Sequence, residues 1–301
     1  MKNREESFAR SRGLYNIVVT SFTADGALDL PALAENIERV IALGYDGLLI
    51  GGTYGEFPAM DTAERAQLFR HAMEVAGDRV PVLLCTAHSD VRVVRELTTL
   101  ASELGGLPMV MPPFVSEVTD GQIESFFREI APLSRTGVMI YNAPGVGITL
   151  SPTLIERICD VEGVVALKQG DLQPGVVDQL VGRISGRIRL LAASDLVMLG
   201  PLSLGFDGVS STNACALPEL IKETFDALAS GNAQRAGELH RRWYPMREVA
   251  RRLGQPQSTK AAMRLRGFRG GHVRQPLRDL DQAGIDMVAN ALRASGIEIA
   301  K

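Results

Sequence analysis

The sequence predicts an α/β protein, a (β/α)8 TIM barrel followed by a C-terminal α-helical extension. Three observations carry this reading. Short apolar, β-branched runs alternate with helical stretches eight times in the first two thirds of the chain, each strand followed by a helix. No G-x-G-x-x-G fingerprint follows the first strand, as a doubly wound dinucleotide-binding sheet would carry. After Pro218 the strand pattern stops and only helical periodicity remains. The chain therefore divides into a barrel over 1–216 and a helical extension over 217–301 packed on it, with no Pro-, Gly- or Ser-rich linker between them. An open doubly wound sheet is the alternative, and it requires a reversal of strand order that no stretch of sequence signals.

The elements follow in order. Residues 14–20 read as the first strand. Asp29 is placed to cap a helix over 30–42 that Gly44 ends. The second strand, 46–50, closes at Gly51-Gly52. Asp61, with Glu64 three residues later, gives a capping signal for a helix to residue 75. Residues 80–85 form the third strand and 91–104 a helix. The fourth strand, 107–111, is stopped by Pro112-Pro113. Residues 120–133 are amphipathic and 137–141 form the fifth strand. Ser151-Pro152 starts a helix with proline in its first turn. Residues 164–168 are the sixth strand. Helix, strand, helix and strand continue over 173–181, 188–192, 195–204 and 208–210. The extension reads as helices over 220–229, 233–253, 259–266 and 279–294.

Composition narrows the function classes. The 301 residues suffice for a sizeable core, and 46% hydrophobic with 22% charged residues is ordinary for a globular chain. A net charge of −3 gives no electrostatic footprint for nucleic acid or a membrane surface. No apolar run is long enough to span a bilayer. The stretch 1–12 is charged and lacks the apolar centre of a signal peptide. A cytoplasmic location is expected. Cys85, Cys159 and Cys215 are scattered, without metal-binding spacing, so no metal is expected, and Cys85 and Cys159 read as reduced core thiols.

The run Gly163-Val164-Val165-Ala166-Leu167-Lys168 is the centre of the functional reading. Its apolar continuity marks a strand buried on both faces. Of five lysines against 27 arginines, Lys168 alone follows such a run; Lys2, Lys222, Lys260 and Lys301 stand in polar or terminal contexts. Burial disfavours an ammonium and frees the amine as a nucleophile toward carbonyls, which arginine never becomes. The plainer reading is a lysine that snorkels from a strand end.

Barrels of this kind place chemistry where strands run into the following loops. Those ends carry Gly51-Gly52-Thr53-Tyr54-Gly55-Glu56, His88, Phe114, Tyr141-Asn142-Ala143-Pro144, Lys168, Asp195 and Ser210. The turn from Gly51 to Gly55 offers backbone N–H groups and hydroxyls to a carboxylate, although a plain turn would look the same. Tyr141 is a phenol near the lysine or a packed aromatic. Asp195 reads as a helix N-cap and His88 as a loop or interface residue. Together the anion cradle, lysine and phenol suit a 2-oxo acid bound as a Schiff base, an electron sink beside the former ketone.

These motifs resemble the dihydrodipicolinate synthase/N-acetylneuraminate lyase superfamily of pyruvate-type class I aldolases. Gly52-Thr53-Tyr54-Gly55-Glu56 is similar to its G-[TS]-x-G-E turn and Tyr141-Asn142-Ala143-Pro144 to its Y-N-x-P strand end. Gly163 to Lys168 resembles its Schiff-base strand, with Lys168 standing 27 residues after Tyr141. Order and spacing agree over nearly the whole chain. The resemblance implies a (β/α)8 barrel, a homotetramer built as a dimer of dimers, and a covalent imine with Lys168 in place of any cofactor. It implies Lys168 as imine former, Tyr141 as proton shuttle, and Thr53 as carboxylate ligand and hydroxyl relay. Gly52, Tyr54, Gly55, Ser210 and Val146 complete the expected substrate-binding set.

The departures bear on substrate. Dihydrodipicolinate synthases carry an arginine where this chain has Val146, to hold the second substrate's carboxylate. Their second tyrosine resembles Phe114 here, and a hydroxyl residue of the turn is replaced by Tyr54. The histidine-bearing stretch that some members use for inhibition by lysine is replaced by 57–65. Phe57-Pro58 is similar to the 4-hydroxy-2-oxoglutarate and keto-deoxy sugar acid branches. The expected function is a Schiff-base lyase performing aldol cleavage or condensation of a 2-keto-3-deoxy or 4-hydroxy-2-oxo acid. The alternatives are a 2-oxo-3-deoxy sugar acid dehydratase, a dihydrodipicolinate synthase-like enzyme, or a non-catalytic oxo-acid sensor or scaffold. A phosphate-binding barrel using Gly208 to Asn213 ranks below these, since that stretch has a single glycine.

Overall fold

A computed structural model describes residues 1–300; Lys301 lies outside them. Eight parallel strands pair in sequence and close on themselves: β1 (Gly13–Ile17), β2 (Gly47–Ile50), β3 (Val82–Cys85), β4 (Leu107–Val110), β5 (Val138–Asn142), β6 (Val164–Gln169), β7 (Arg189–Ala192) and β8 (Gly208–Ser211). The helices that cover the barrel are α2 (Leu30–Ala42), α3 (Thr62–Ala76), α4 (Val91–Glu103), α5 (Asp120–Ile130), α6 (Pro152–Cys159), α7 (Pro174–Ile184) and α8 (Leu199–Leu204), after a first helix α1 (Arg4–Arg10). The extension contains α9 (Pro218–Ala229), α10 (Ala233–Arg242), α11 (Tyr244–Leu253), α12 (Gln257–Leu265) and α13 (Gln282–Ala294). None of these helices is long and apolar enough to cross a membrane.

Strand alternation sorts the apolar residues into two layers. Tyr15, Ile17, Leu49, Leu83, Cys85, Met109 and Met139 point inward and fill the barrel. Leu48, Ile50, Leu84, Val110, Ile140 and Leu190 point outward and pack under the helices. The caps agree with the sequence. Asp29 accepts from Ala32 N, Asp61 and Glu64 form a complete capping box, and Ser151 caps the proline-led α6.

Several expectations change. The stretch 233–253 is two helices, because Pro245 in the first turn of α11 cannot continue α10, and Trp243 turns fully into the core at the break. Lys168 does not end its strand; Gln169 still pairs with Asn142 and Ala192. The charged N-terminus forms α1, where the Tyr15 hydroxyl donates to Arg10 O at 2.8 Å and Arg189 donates to Phe8 O, closing the barrel's N-terminal mouth. Asp195 does not cap its helix. Ser194 does, and Asp195 is a buried carboxylate accepting from the Ser211 hydroxyl and, at 3.1 and 3.0 Å, from Asn213 N and Nδ2.

Candidate active site

Lys168 faces the barrel interior because β6 carries one residue more than its neighbour. Pairing between β5 and β6 runs Val138 to Val164 and then Met139 to Ala166, skipping Val165. Such a bulge shifts the phase of every later side chain. Val165 is inward and Leu167 outward, so Lys168 returns to the inside beside Tyr141, its partner in register. Gly137, at φ +79°, permits the close start of this pairing: a Cβ there would stand 2.7 Å from Gly163 O.

The Lys168 side chain is 3% exposed, and its Nζ lies 4.0 Å from the centre of the Tyr141 ring. No hydrogen-bond acceptor holds this amine among the described residues. Desolvation by burial lowers its pKa from 10.5 to about 7, against a small opposing contribution from Cys85. At neutral pH roughly half the amine is then unprotonated, compared with about 0.03% for an unperturbed lysine. Tyr141 Oη lies 2.8 Å from Thr53 Oγ1. Burial pushes the Tyr141 phenol well above its ordinary range, with the Thr53 contact opposing, so it is held protonated and can donate.

Thr53 begins a 3-10 turn, Thr53–Gly55, directly after β2. The Gly52 carbonyl takes the N–H groups of Gly55 and Phe57, and the Thr53 carbonyl that of Glu56. The amides of Thr53 and Tyr54 have no acceptor among the described residues, and they are the donors a carboxylate would meet. Asn142 holds the opposite wall: it donates to Gln169 Oε1 at 2.8 Å and accepts from Leu150 N at 3.0 Å. Gly170 lets this strand end close over the site, since a Cβ there would meet Asn142 O at 2.7 Å.

The resulting cavity, about 130 Å³, brings together Thr53, Tyr54, Tyr141, Val146 and Lys168, with Ala143, Pro144, Gly170, Ala193 and Ser194. A volume of this size can take a three-carbon acid. Tyr54 turns into the cavity rather than outward. Burial and the Asp195 carboxylate raise its phenol above the ordinary range. Gly52, Gly55 and Ser210 do not line the cavity. A Cβ on Gly52 would strike Leu49 at 2.7 Å, Gly55 O accepts from the Thr20 hydroxyl, and the Ser210 hydroxyl donates to Ala192 O. Their contribution is to the wall behind. His88 stands apart, accepting from Asp90 N at 2.8 Å, and Phe114 packs against the apolar cluster that includes Tyr141.

Sequence reasoning missed the supports. Lys260, read as a lysine in a polar context, is 0% exposed and donates to Glu56 Oε1, Thr20 O and His272 O. Arg65 is likewise buried, donating to Ala87 O and Cys85 O and so fixing the loop after β3. The signal for the first pair was the charge on Glu56 in an apolar turn, whose partner lies 204 residues away.

Compared with known proteins, the chain matches the Dihydrodipicolinate synthetase family over residues 10–295. It is 33% identical over 284 residues to 4-hydroxy-tetrahydrodipicolinate synthase 1 of Streptomyces coelicolor, covering 93% of this chain and 91% of that protein. To 4-hydroxy-tetrahydrodipicolinate synthase 1 of Halalkalibacterium halodurans it is 29% identical, covering 91% and 94%. Among solved structures, a prophage protein of the dihydrodipicolinic acid synthase family from E. coli K12, in complex with pyruvate, superposes with a TM-score of 0.91 at 26% identity, covering 96% of this chain and 99% of that one.

Proposed function

Because the chain belongs to the dihydrodipicolinate synthetase family of lyases, we propose that it makes or breaks a C–C bond beside pyruvate or a related 2-oxo acid held as an imine on Lys168. The observation that carries the reading is the Lys168 amine, buried inside the barrel with its Nζ 4.0 Å from the centre of the Tyr141 ring, where burial lowers its pKa to about 7.

The carboxylate of the 2-oxo acid accepts from the Thr53 and Tyr54 amides. The Lys168 amine adds to the ketone carbon, Tyr141 protonates the ketone oxygen, and loss of water leaves the imine. Loss of a C3 proton gives an enamine, whose C3 attacks an aldehyde carbon while the aldehyde oxygen takes up a proton. Water then releases the 4-hydroxy-2-oxo acid and restores the amine. Cleavage is the same path reversed. The Thr53 hydroxyl, paired with Tyr141 at 2.8 Å, relays these protons.

The three free cysteines suit a reducing compartment such as the cytoplasm. Reduction with borohydride in the presence of pyruvate tests the central claim. One adduct per chain on the peptide carrying Lys168 is expected; an adduct elsewhere, or none with any 2-oxo acid, overturns it.

A further inference from the structure

A second cavity, about 420 Å³, lies beside the first, and both have Thr53 and Val146 in their walls. Thr53 and Val146 therefore form the common border of the Lys168 cavity and this one. Its apolar wall is drawn from segments far apart in sequence: Pro58 and Ala59 after the Thr53 turn, Pro256 ahead of α12, and Pro276 and Leu277 ahead of α13. Such a volume falls in the range that holds whole small ligands.

The charged groups at the border of this gallery are already satisfied. A guanidinium has five N–H donors, and all five of Arg274 are engaged. Nε and Nη2 donate to Gly26 O, Nη1 to Ala59 O at 2.9 Å, and Nη1 and Nη2 to the two oxygens of Glu64 at 2.8 and 2.6 Å. Glu56 accepts from Lys260 with one oxygen and from Arg274 N at 2.9 Å with the other. The Gln255 amide nitrogen donates to Thr259 Oγ1 at 3.2 Å. A ligand carboxylate gains a cation here only by breaking one of these bonds, and the side chains of the prolines and Leu277 offer a chain of hydroxyls no hydrogen-bond partner.

We propose that this gallery seats the aldehyde portion of the substrate, and that this portion is uncharged and mainly apolar, an aromatic or branched aliphatic aldehyde. The proposal rests on the Schiff-base reading above and adds the class of the electrophile. Dehydration of a polyhydroxylated sugar acid does not fit the same wall.

The test compares kcat/KM for condensation of pyruvate with benzaldehyde, glyceraldehyde and succinic semialdehyde, using the full chain. Benzaldehyde is expected to lead both others by at least roughly tenfold. Leu277→Glu lowers the benzaldehyde value by a similar factor while borohydride trapping of pyruvate on Lys168 is unchanged; Leu277→Ser, too mild to unfold this half-buried position, shifts it in the same direction. Preference for glyceraldehyde or succinic semialdehyde, or indifference to both substitutions, overturns the proposal. If pyruvate does not trap on Lys168, the Schiff-base reading falls separately. Calorimetric titration with benzyl alcohol then reads the gallery directly: saturable binding lost in Leu277→Glu upholds its apolar preference, and no binding overturns it.

Discussion

Lys260 Nζ lies 2.5 Å from Glu56 Oε1, with side-chain exposures of 0% and 2%. The pair ties α12 of the extension to the turn that presents Thr53. Glu56 is the one non-glycine residue with positive φ among the described residues, at +58°, a conformation the surrounding bonds must hold in place. Burial lowers the Lys260 pKa while Glu56 opposes that shift. The pair therefore fixes the position of the turn that carries Thr53.

Breaking this pair on one side should be costly. Lys260→Met leaves a buried carboxylate without its cation and should cost about 3–5 kcal/mol in urea unfolding. Adding Glu56→Gln to Lys260→Met should recover part of that loss. Strict additivity of the two losses would show that the pair is not coupled.

Imine formation should rise with pH through about 7, the range to which burial brings Lys168. The pre-steady-state rate of trapping against pH reads this, and a midpoint near 10 would contradict it. The same shift makes a stability statement. The folded chain releases the proton first, so the destabilisation from a buried ammonium is complete below about pH 7 and fades as pH climbs toward 10.5. Lys168→Met should therefore raise the melting temperature most near pH 6 and progressively less above pH 7. A gain independent of pH would point to packing instead.

Aspartate semialdehyde should be a poor partner, because Val146 offers no cation to its carboxylate. In a coupled assay kcat/KM is expected below roughly 10⁴ M⁻¹s⁻¹. Val146→Arg should raise it, since a bidentate contact contributes on the order of 1.5–3 kcal/mol, or more than tenfold. Efficient turnover by the unaltered chain would remove the inference.

The Tyr54 phenol shares the cavity with Lys168 and Tyr141. Tyr54→Phe should slow turnover by roughly 10²-fold, the lower end for a lost general acid–base group, while trapping on Lys168 persists. Unchanged turnover would leave Tyr54 as a pocket wall and nothing more.

What the sequence determined by itself was local and periodic. Alternation of apolar strands with helices sets the barrel, and Asp29, Asp61–Glu64 and Ser151 mark helix starts because capping acts within one turn. The lone lysine of an apolar strand could be singled out for the same reason: burial of a short run is written in the run.

What the tertiary structure decided depends on distant partners and on phase. Counting in twos from the inward Val165 puts Lys168 on the outer face, and only the extra residue of β6 against β5 returns it to Tyr141. That bulge exists because of strand pairing, which no single strand encodes. Lys260 reads as polar in its own helix and becomes a buried counter-ion only when the extension meets a turn 204 residues earlier. Glycines chosen as ligands became walls for a parallel reason: Leu49 and Thr20 already occupy the space and bonds around them.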